Sequence, residues 1–248
     1  MSKQVQDAWI VAAQRTPIGK APKGVFRHTR PDDLLVNALR GALAQVPSLD
    51  PAAIEDAIVG CAIPEGQQGL NVGRMAVLLA GLPDSVGGAT VNRFCASGLT
   101  ALAMAADRIR VGEADVVIAG GTESMSMLPM MGSRPSINPR VFEDDHIGIA
   151  YGMGLTAEKV AQQWKVSREA QDAFALASHQ KALKAIASGE FKDEIVPITV
   201  TAGVADAVMG LRSKEVTVEN DEGIRPGTTK EGISGIKPAI PGGVIAAG

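Results

Sequence analysis

The fold of this chain is decided by one short stretch, Ala89-Thr90-Val91-Asn92-Arg93-Phe94-Cys95-Ala96-Ser97-Gly98-Leu99. An apolar, β-branched run leads into the cysteine, and an alanine-rich stretch with helical spacing leads out of it to Arg110. This order predicts a strand that turns sharply into a helix, with Cys95 at the turn. The start of a helix presents free N–H groups and a partial positive charge, which favour a thiolate over a thiol. We therefore interpret Cys95 as a candidate nucleophile, with a small buried thiol as the alternative.

The segments around this stretch alternate between strand and helix patterns. The predicted strands are 8–13, 56–61, 89–94 and 115–119, and the predicted helices are 31–45, 72–80 and 96–110. Such alternation predicts an α/β fold with a largely parallel sheet. In the helix after Cys95, apolar residues recur at spacings of three and four and predict one apolar face, formed by Leu99, Leu102, Ala106 and Ile109. Alanines occupy much of the remaining surface, which is typical of a helix that packs closely on several sides.

The pattern changes after Ser124. Residues 125–135 are rich in methionine and proline and have no clear period, and two helices are predicted after them, at 156–164 and 168–188. Ser167 is a suitable N-cap for the second of these helices, and Gly189 a suitable terminator. The remainder of the chain predicts short extended pieces separated by Gly and Pro turns.

The composition excludes several classes of protein. Hydrophobic residues make up 46% of the 248 residues and the net charge is −3, so no basic excess indicates a nucleic-acid partner. No apolar run approaches the ~18 residues of a membrane span, and the polar N-terminus lacks a signal-peptide core. Two cysteines indicate a reducing compartment, and we expect a cytoplasmic protein with no membrane insertion. Without a CxxC spacing or clustered histidines, no metal site is expected.

Further short segments extend the argument beyond the cysteine. They are Asn92-Arg-Phe-Cys-Ala-Ser-Gly-Leu-Thr-Ala-Leu102 and the segments 120–126, 153–158, 167–175 and 191–197. In this order they resemble the thiolases, the acyl-CoA C-acyltransferases, over nearly the whole chain. The form Asn-Arg-x-Cys is more similar to the broad-range 3-ketoacyl-CoA thiolases than to the acetoacetyl-CoA biosynthetic branch.

The resemblance implies a thiolase-like layered α/β fold, one βαβαβαβ half with an inserted loop domain. Residues 1–124 would form the N-terminal domain that carries Cys95, and residues 125–248 the loop domain that holds coenzyme A. Thiolases continue into a second domain with Asn-Glu-Ala-Phe, Gly-His-Pro and Cys-x-Gly-Gly segments, which this sequence does not contain. We therefore expect a thiolase chain that lacks its C-terminal domain. The three histidines have no Gly-His-Pro context and are predicted at the surface: His28, His146 and His179.

The resemblance also implies a reaction. A thiolase cleaves a 3-ketoacyl-CoA into acetyl-CoA and a shortened acyl-CoA, or runs the reverse condensation, through an acyl-Cys95 intermediate, with the Cys95 N–H contributing to an oxyanion hole. It implies acyl-CoA as substrate, no permanently bound cofactor, and a homodimer or homotetramer. We expect this chain alone to be weak or inactive. The alternatives are a ketoacyl-synthase-like condensing enzyme and a non-catalytic fragment that binds coenzyme A or another protein.

Three positions are candidates for binding coenzyme A by the resemblance. Met153 matches a methionine that packs against the pantetheine, Arg225 an arginine near the adenine, and Ile236 an apolar position that lines the nucleotide. An arginine can stack on a purine and pair with phosphate, although an exposed loop charge is the alternative for Arg225. Gly232 stands where some members have a serine that touches the adenine, so that contact is not expected. Cys61, at the end of a predicted strand, is interpreted as a packed structural thiol.

Overall fold

A computed structural model describes residues 5–143 and 145–247, with the backbone alone described at 145–147, 204–206 and 211. These residues form two compact units. The first joins the chain up to Arg134 to Lys192–Gly223, and the second joins Pro135–Phe191 to the chain from Ile224 onward.

The first unit contains a parallel sheet with three helices, followed by a hairpin. Its elements are α1 (Pro31–Ala44), β1 (Asp56–Gly60), α2 (Val72–Ala80), β2 (Ala89–Val91), α3 (Ser97–Arg110), β3 (Val117–Gly121), β4 (Ile198–Asp206) and β5 (Gly210–Val218). The strands of the sheet lie in the order β2-β1-β3 and are all parallel, which confirms the predicted sheet type. Because the strands are parallel, their carboxyl ends lie at one edge of the sheet, where residues 61, 92 and 122 begin the following loops.

The boundaries of the first two helices follow from local capping. Pro31 occupies the first turn of α1, with Asp32 and Asp33 at the positive end of the helix dipole. The Asn71 side chain accepts the N–H of Arg74 at the start of α2, and Gly81 ends that helix in the left-handed conformation. The predicted helix 72–80 is confirmed, and the predicted helix 31–45 ends one residue earlier.

The two faces of the sheet are packed differently. On one face, α1 and α2 contribute a cluster of Leu35, Val36, Leu39, Val72 and Ala76 with Val59 and Cys61. On the other, the small side chains of Ala101 and Ala105 lie against Ile58. The predicted apolar face of α3 does not pack on this sheet at Leu99 and Leu102, because these side chains are 72% and 40% exposed. The alanine face packs on the sheet instead, since small side chains let the helix backbone approach the strands closely.

The predicted strand at 8–13 is also corrected. Residues 5–14 carry no regular secondary structure, and Trp9, Ile10 and Val11 are more than 70% exposed. The sequence pattern was that of a buried strand, but a strand forms only where another backbone supplies a ladder of hydrogen bonds. Within the described chain, only isolated bonds reach this segment, such as that from the Gln6 N–H to the Arg110 carbonyl.

A long hairpin replaces the short extended pieces predicted after residue 190. Strands β4 and β5 pair antiparallel over nine residues each, from Ile198 opposite Val218 to Asp206 opposite Gly210. The hairpin packs its apolar side chains against Phe26 in a cluster of Phe26, Ile198, Val200 and Val218.

Ion pairs also connect the residues that flank this hairpin to the start of the chain. The Arg15 guanidinium binds Glu194 on one side of the hairpin and Asp221 on the other. Residues 192–223 therefore belong to the first compact unit, whereas the predicted domain boundary was at residue 124. The assignment of residues 125–248 as a loop domain for coenzyme A stays a prediction.

The second unit is helical and contains α4 (Met153–Trp164), α5 (Arg168–Ser188) and the short α6 (Lys230–Ser234). The Ser167 side chain caps α5 by accepting the N–H of Ala170, and Gly189 ends the helix with a φ of 76°, as predicted. The Arg168 side chain joins α5 to α6 by donating to the carbonyls of Ile233 and Ile236. None of the helices in the described ranges is long and apolar enough to span a membrane.

Candidate active site around Cys95

Cys95 lies in the connection between β2 and α3, two residues before the helix begins, and its side chain is exposed. The connection is tight because Phe94 takes a φ of 46°, a left-handed conformation that is unfavourable for a residue with a side chain. The strand ends at Val91, three residues earlier than predicted, because the chain must turn at this point. The predicted order of strand, cysteine and helix is therefore confirmed.

Hydrogen bonds within the turn hold this strained backbone. The buried Ser97 hydroxyl accepts the N–H of Arg93 at 2.8 Å and donates to the carbonyl of Phe94 at 2.6 Å. The Asn92 side chain accepts the N–H of Phe94 at 2.8 Å. The N–H groups of Ala96 and Ser97 donate to carbonyls of the turn, whereas that of Cys95 donates to no acceptor among the described residues. The cysteine thus combines an exposed thiol with an N–H group that can receive an anion.

The sheet leaves room for this turn by placing glycine beneath it. A Cβ on Gly60, the last residue of β1, would overlap the carbonyl carbon of Ser97 and lie 2.5 Å from the backbone nitrogen of Gly98. A Cβ on Gly121, the last residue of β3, would lie 3.7 Å from the Cα of Gly98. The first turn of α3 therefore lies directly on the ends of two strands.

Polar side chains connect the loops that follow the three parallel strands. The Glu123 carboxylate, after β3, accepts the N–H of Ala62, after β1, at 2.6 Å. The same carboxylate accepts from the Gln68 side chain, which is fully buried and also accepts the N–H of Ser124 at 2.9 Å. The Asn92 side chain, after β2, donates to the carbonyl of Ala62 at 3.0 Å. We call Ala62, Gln68, Asn92 and Glu123 the strand-end network.

The second cysteine has a different environment. Cys61 is 1% exposed and packs in the core between the sheet and helices α1 and α2, as predicted for a structural thiol. Burial, together with the nearby Glu123 carboxylate, raises its pKa to about 11. A thiol that stays protonated is a poor nucleophile, so the reactive candidate is Cys95.

The three positions predicted to bind coenzyme A all lie in the second unit. Met153 begins α4 and is 62% exposed, Arg225 is exposed in a turn before α6, and the partly buried Ile236 follows α6. The Arg225 carbonyl closes its turn by accepting the N–H and hydroxyl of Thr228, and within the described ranges its guanidinium has no recorded ion pair. Cys95 lies in the first unit, and the roles of Met153, Arg225 and Ile236 stay predictions.

The second unit also has an open cavity of about 620 Å³, which none of the three predicted residues lines. It lies beside α4, and the Glu158 carboxylate at its wall accepts the N–H groups of Val244 and Ile245. Among the histidines, His28 is exposed and His179 is partly exposed on α5, while the side chain of His146 is outside the described residues.

The strand-end network was not predicted from the sequence. Asn92 and Glu123 both stand within segments that resemble the thiolases, but their side chains had no predicted role of their own. A signal was available for Glu123, because it follows a predicted strand of a parallel sheet, and a side chain in that position lies at the same edge as Cys95. Asn92 gave no such signal, since it fell inside the predicted strand 89–94. Gln68 gave no such signal, since its burial depends on how the loop after β1 folds.

Comparison with known proteins places the chain among related sequences. The family model "Thiolase, N-terminal domain" matches residues 8–248. A 3-ketoacyl-CoA thiolase of Bacillus subtilis (strain 168) is 45% identical over 247 residues, which are 98% of this chain and 62% of the relative. A 3-oxoadipyl-CoA/3-oxo-5,6-dehydrosuberyl-CoA thiolase of Escherichia coli (strain K12) is 43% identical over 98% of this chain and 63% of its own.

A solved structure is similar over the same extent. The Bacillus anthracis acetyl-CoA acetyltransferase superposes with a TM-score of 0.81 and 36% sequence identity. The similarity covers 99% of this chain and 62% of the acetyltransferase. The chain therefore spans about three fifths of the length of the relatives to which it is similar.

Proposed function

This chain belongs to the thiolase family and has its α/β fold, and on that premise we propose that the protein is an acyl-CoA C-acyltransferase in which Cys95 carries the acyl group. The observation that supports the proposal is the exposed thiol between β2 and α3, beside a backbone N–H with no acceptor among the described residues. The names of the relatives support acyl-CoA thioesters as the class of substrate.

The proposed reaction has two half-reactions. The Cys95 sulfur bonds to the keto carbon of a 3-ketoacyl-CoA, and the bond between that carbon and its α-carbon breaks. The electron pair leaves with the α-carbon, which gains a proton and departs as acetyl-CoA. The thiol of a second coenzyme A then bonds to the acyl carbon and releases Cys95 with its proton restored. The reverse sequence is a condensation.

Each half-reaction places negative charge on the oxygen of the attacked carbonyl. We propose that the Cys95 N–H donates a hydrogen bond to this carbonyl oxygen. Its fixed position before the start of α3 supports this role. The sequence holds no Gly-His-Pro segment, so we assign no residue of this chain as the general acid or base. We therefore propose that the 248-residue chain alone supports acylation of Cys95 but little or no turnover.

Coenzyme A would bind in the second unit, with the pantetheine against Met153, the adenine near Arg225 and the nucleotide against Ile236. The exposure of Met153 and of the Arg225 guanidinium supports this assignment, since a ligand gains most from side chains that are not already occupied. We propose no permanently bound cofactor, a homodimer or homotetramer, and a cytoplasmic location.

Intact-protein mass spectrometry tests the proposed function. The chain is incubated with acetoacetyl-CoA beside a Cys95→Ala variant, and circular dichroism verifies that both are folded. An acetyl adduct that is lost in the variant supports the proposal. A folded chain without an adduct contradicts acylation of Cys95 in this chain, and coenzyme A binding without acylation would indicate a non-catalytic fragment.

A further inference from the structure

Cys95 is the last member of a series of contacts that begins at another strand of the sheet. The Glu123 carboxylate, which follows β3, holds the N–H of Ala62, which follows β1. The carbonyl of the same residue, Ala62, holds the side-chain amide of Asn92, which follows β2. The oxygen of that amide accepts the N–H of Phe94, the residue before the cysteine.

We propose that Asn92 and Glu123 are positioning residues that fix the Phe94–Cys95 backbone for attack, and that Glu123 acts at a distance through Ala62. The proposal rests on the proposed function, because it takes Cys95 as the nucleophile. Neither side chain needs to touch the substrate for this role.

The conformation of Phe94 shows why hydrogen bonds must hold this backbone in place. Its φ of 46° is unfavourable, so the turn would relax if the surrounding bonds were removed. Relaxation of the turn changes the orientation of the Cys95 N–H and thiol with respect to the sheet, and both groups must meet one carbonyl group during acylation. The Ser97 hydroxyl, at the start of α3, bonds to the backbone of Arg93 and Phe94 within the turn. The Asn92 side chain connects the turn to Ala62, in the loop after β1.

The buried member of the strand-end network explains how Glu123 is held. Gln68 has no exposed surface, donates to the carbonyl of Ile63 at 2.8 Å and to Glu123, and accepts from Ser124. Because its partners lie on the loops after β1 and β3, it fixes the Glu123 carboxylate against the N–H of Ala62. Glu123, which follows β3, therefore fixes the position of Ala62. Ala62 in turn fixes the position of Phe94 through the Asn92 side chain.

The chemistry of the amide at position 92 allows a sharp test. Asn92→Asp keeps the oxygen that accepts from Phe94 but loses the donor to Ala62, so it preserves the local turn and breaks the connection to Glu123. Glu123→Gln removes the charge that holds Ala62. A matched control is Glu55→Gln. The Glu55 carboxylate accepts the backbone N–H of Asp115 and likewise joins β1 to β3, but at the opposite edge of the sheet.

The experiment compares two reactions of Cys95, each followed by peptide mass spectrometry. In acylation by p-nitrophenyl acetate, the sulfur bonds to the acetyl carbon, the ester C–O bond breaks, p-nitrophenolate leaves and the thiol proton goes to the buffer. Alkylation by iodoacetamide needs no oxyanion donor and so reports only access to the thiol. Labelling of the buried Cys61 reports loss of the fold in any variant.

We expect Glu123→Gln and Asn92→Asp to slow acylation of Cys95 about tenfold, with alkylation changed by no more than about twofold and Glu55→Gln unchanged. Wild-type acylation in Asn92→Asp would overturn the proposal, because the local turn alone would then suffice. Equal rates in Glu123→Gln and Glu55→Gln would also overturn it. Since p-nitrophenyl acetate contains no coenzyme A, failure of the proposed function appears separately, as the missing adduct with acetoacetyl-CoA.

Discussion

Gly60 and Gly98 meet backbone to backbone: a Cβ on Gly60 would lie 2.5 Å from the nitrogen of Gly98, in the first turn of α3. The end of a central strand is thus in direct contact with the start of the helix that follows Cys95. No atom at this contact belongs to a flexible side chain, so an added methyl group displaces the helix or the strand.

Gly60→Ala should therefore destabilise the protein by about 2 kcal/mol, the range of overpacked cores, and slow acylation of Cys95. Urea unfolding and the p-nitrophenyl acetate reaction measure the two effects. The matched control is Gly120→Ala on the neighbouring strand, where a Cβ would meet nothing within 4 Å. Equal stability of the two variants would contradict the close backbone contact between Gly60 and Gly98.

The two cysteines should differ sharply in reactivity. Burial and the Glu123 carboxylate hold the pKa of Cys61 near 11, whereas Cys95 is exposed. We expect iodoacetamide at about pH 8 to alkylate Cys95 at least about a hundredfold faster than Cys61. Peptide mass spectrometry gives both rates, and the same reaction in denaturant, where both thiols are free, serves as the control. Comparable rates in the folded protein would contradict the burial of Cys61.

Asp221 should make stability depend on pH. Burial raises its pKa, but hydrogen bonds from the Arg15 guanidinium and the Ile18 N–H outweigh burial and hold the pKa below its ordinary value. A depressed folded-state pKa stabilises the protein above the unfolded value of about 3.9, and this contribution is lost as the pH falls through the folded value.

Asp221→Asn should consequently lower the free energy of unfolding by about 2 kcal/mol near pH 7. The difference in free energy of unfolding between the variant and the wild type should become smaller as the pH falls from about 5 to about 3. Urea unfolding across this range gives the profile. Glu215→Gln, at an exposed position of β5, removes the same charge and should change stability by less than about 0.5 kcal/mol. A constant difference for Asp221→Asn at all pH values would show that the carboxylate's charge is not involved.

Lys165 offers a stabilising substitution. It ends α4 with a φ of 54°, a conformation that costs a residue with a side chain about 1 kcal/mol. Lys165→Gly should raise the free energy of unfolding by about 0.5 to 1 kcal/mol, whereas Lys159→Gly, inside the same helix, should lower it by about 1 kcal/mol. Thermal unfolding measures both, and effects of the same sign would contradict the left-handed cap.

The parts of the fold that were predictable from sequence are those with local signals. The helix 168–188 was predicted to the residue, because Ser167 and Gly189 mark its ends. The hairpin 198–218 was missed, since its turn at residues 207–209, Ala-Val-Met, has no Asn, Asp, Gly or Pro and only Gly210 follows. The strand at 8–13 was wrong because an apolar run specifies burial but not the backbone with which it pairs.

For the candidate site, the sequence indicated the candidate nucleophile Cys95 but not the strand-end network beside it. Cys95 was recognisable because a strand and a helix meet around it, a relationship within a few residues. Glu123 and Gln68 are 55 positions apart in the sequence, and the hydrogen bond between them exists only once the loops after β1 and β3 have folded. Local periodicity carries no information on such contacts.

The alanine face of α3 links the volume of the core to the position of the Cys95 thiol. Ala101 and Ala105 set the distance between the helix and Ile58, and the helix begins two residues after Cys95. A larger side chain at either alanine would lift the helix and carry the thiol with it. Engineering of this protein for heat resistance should therefore leave the interior under α3 unchanged and proceed through helix caps and surface charges, where added stability leaves the chemistry undisturbed.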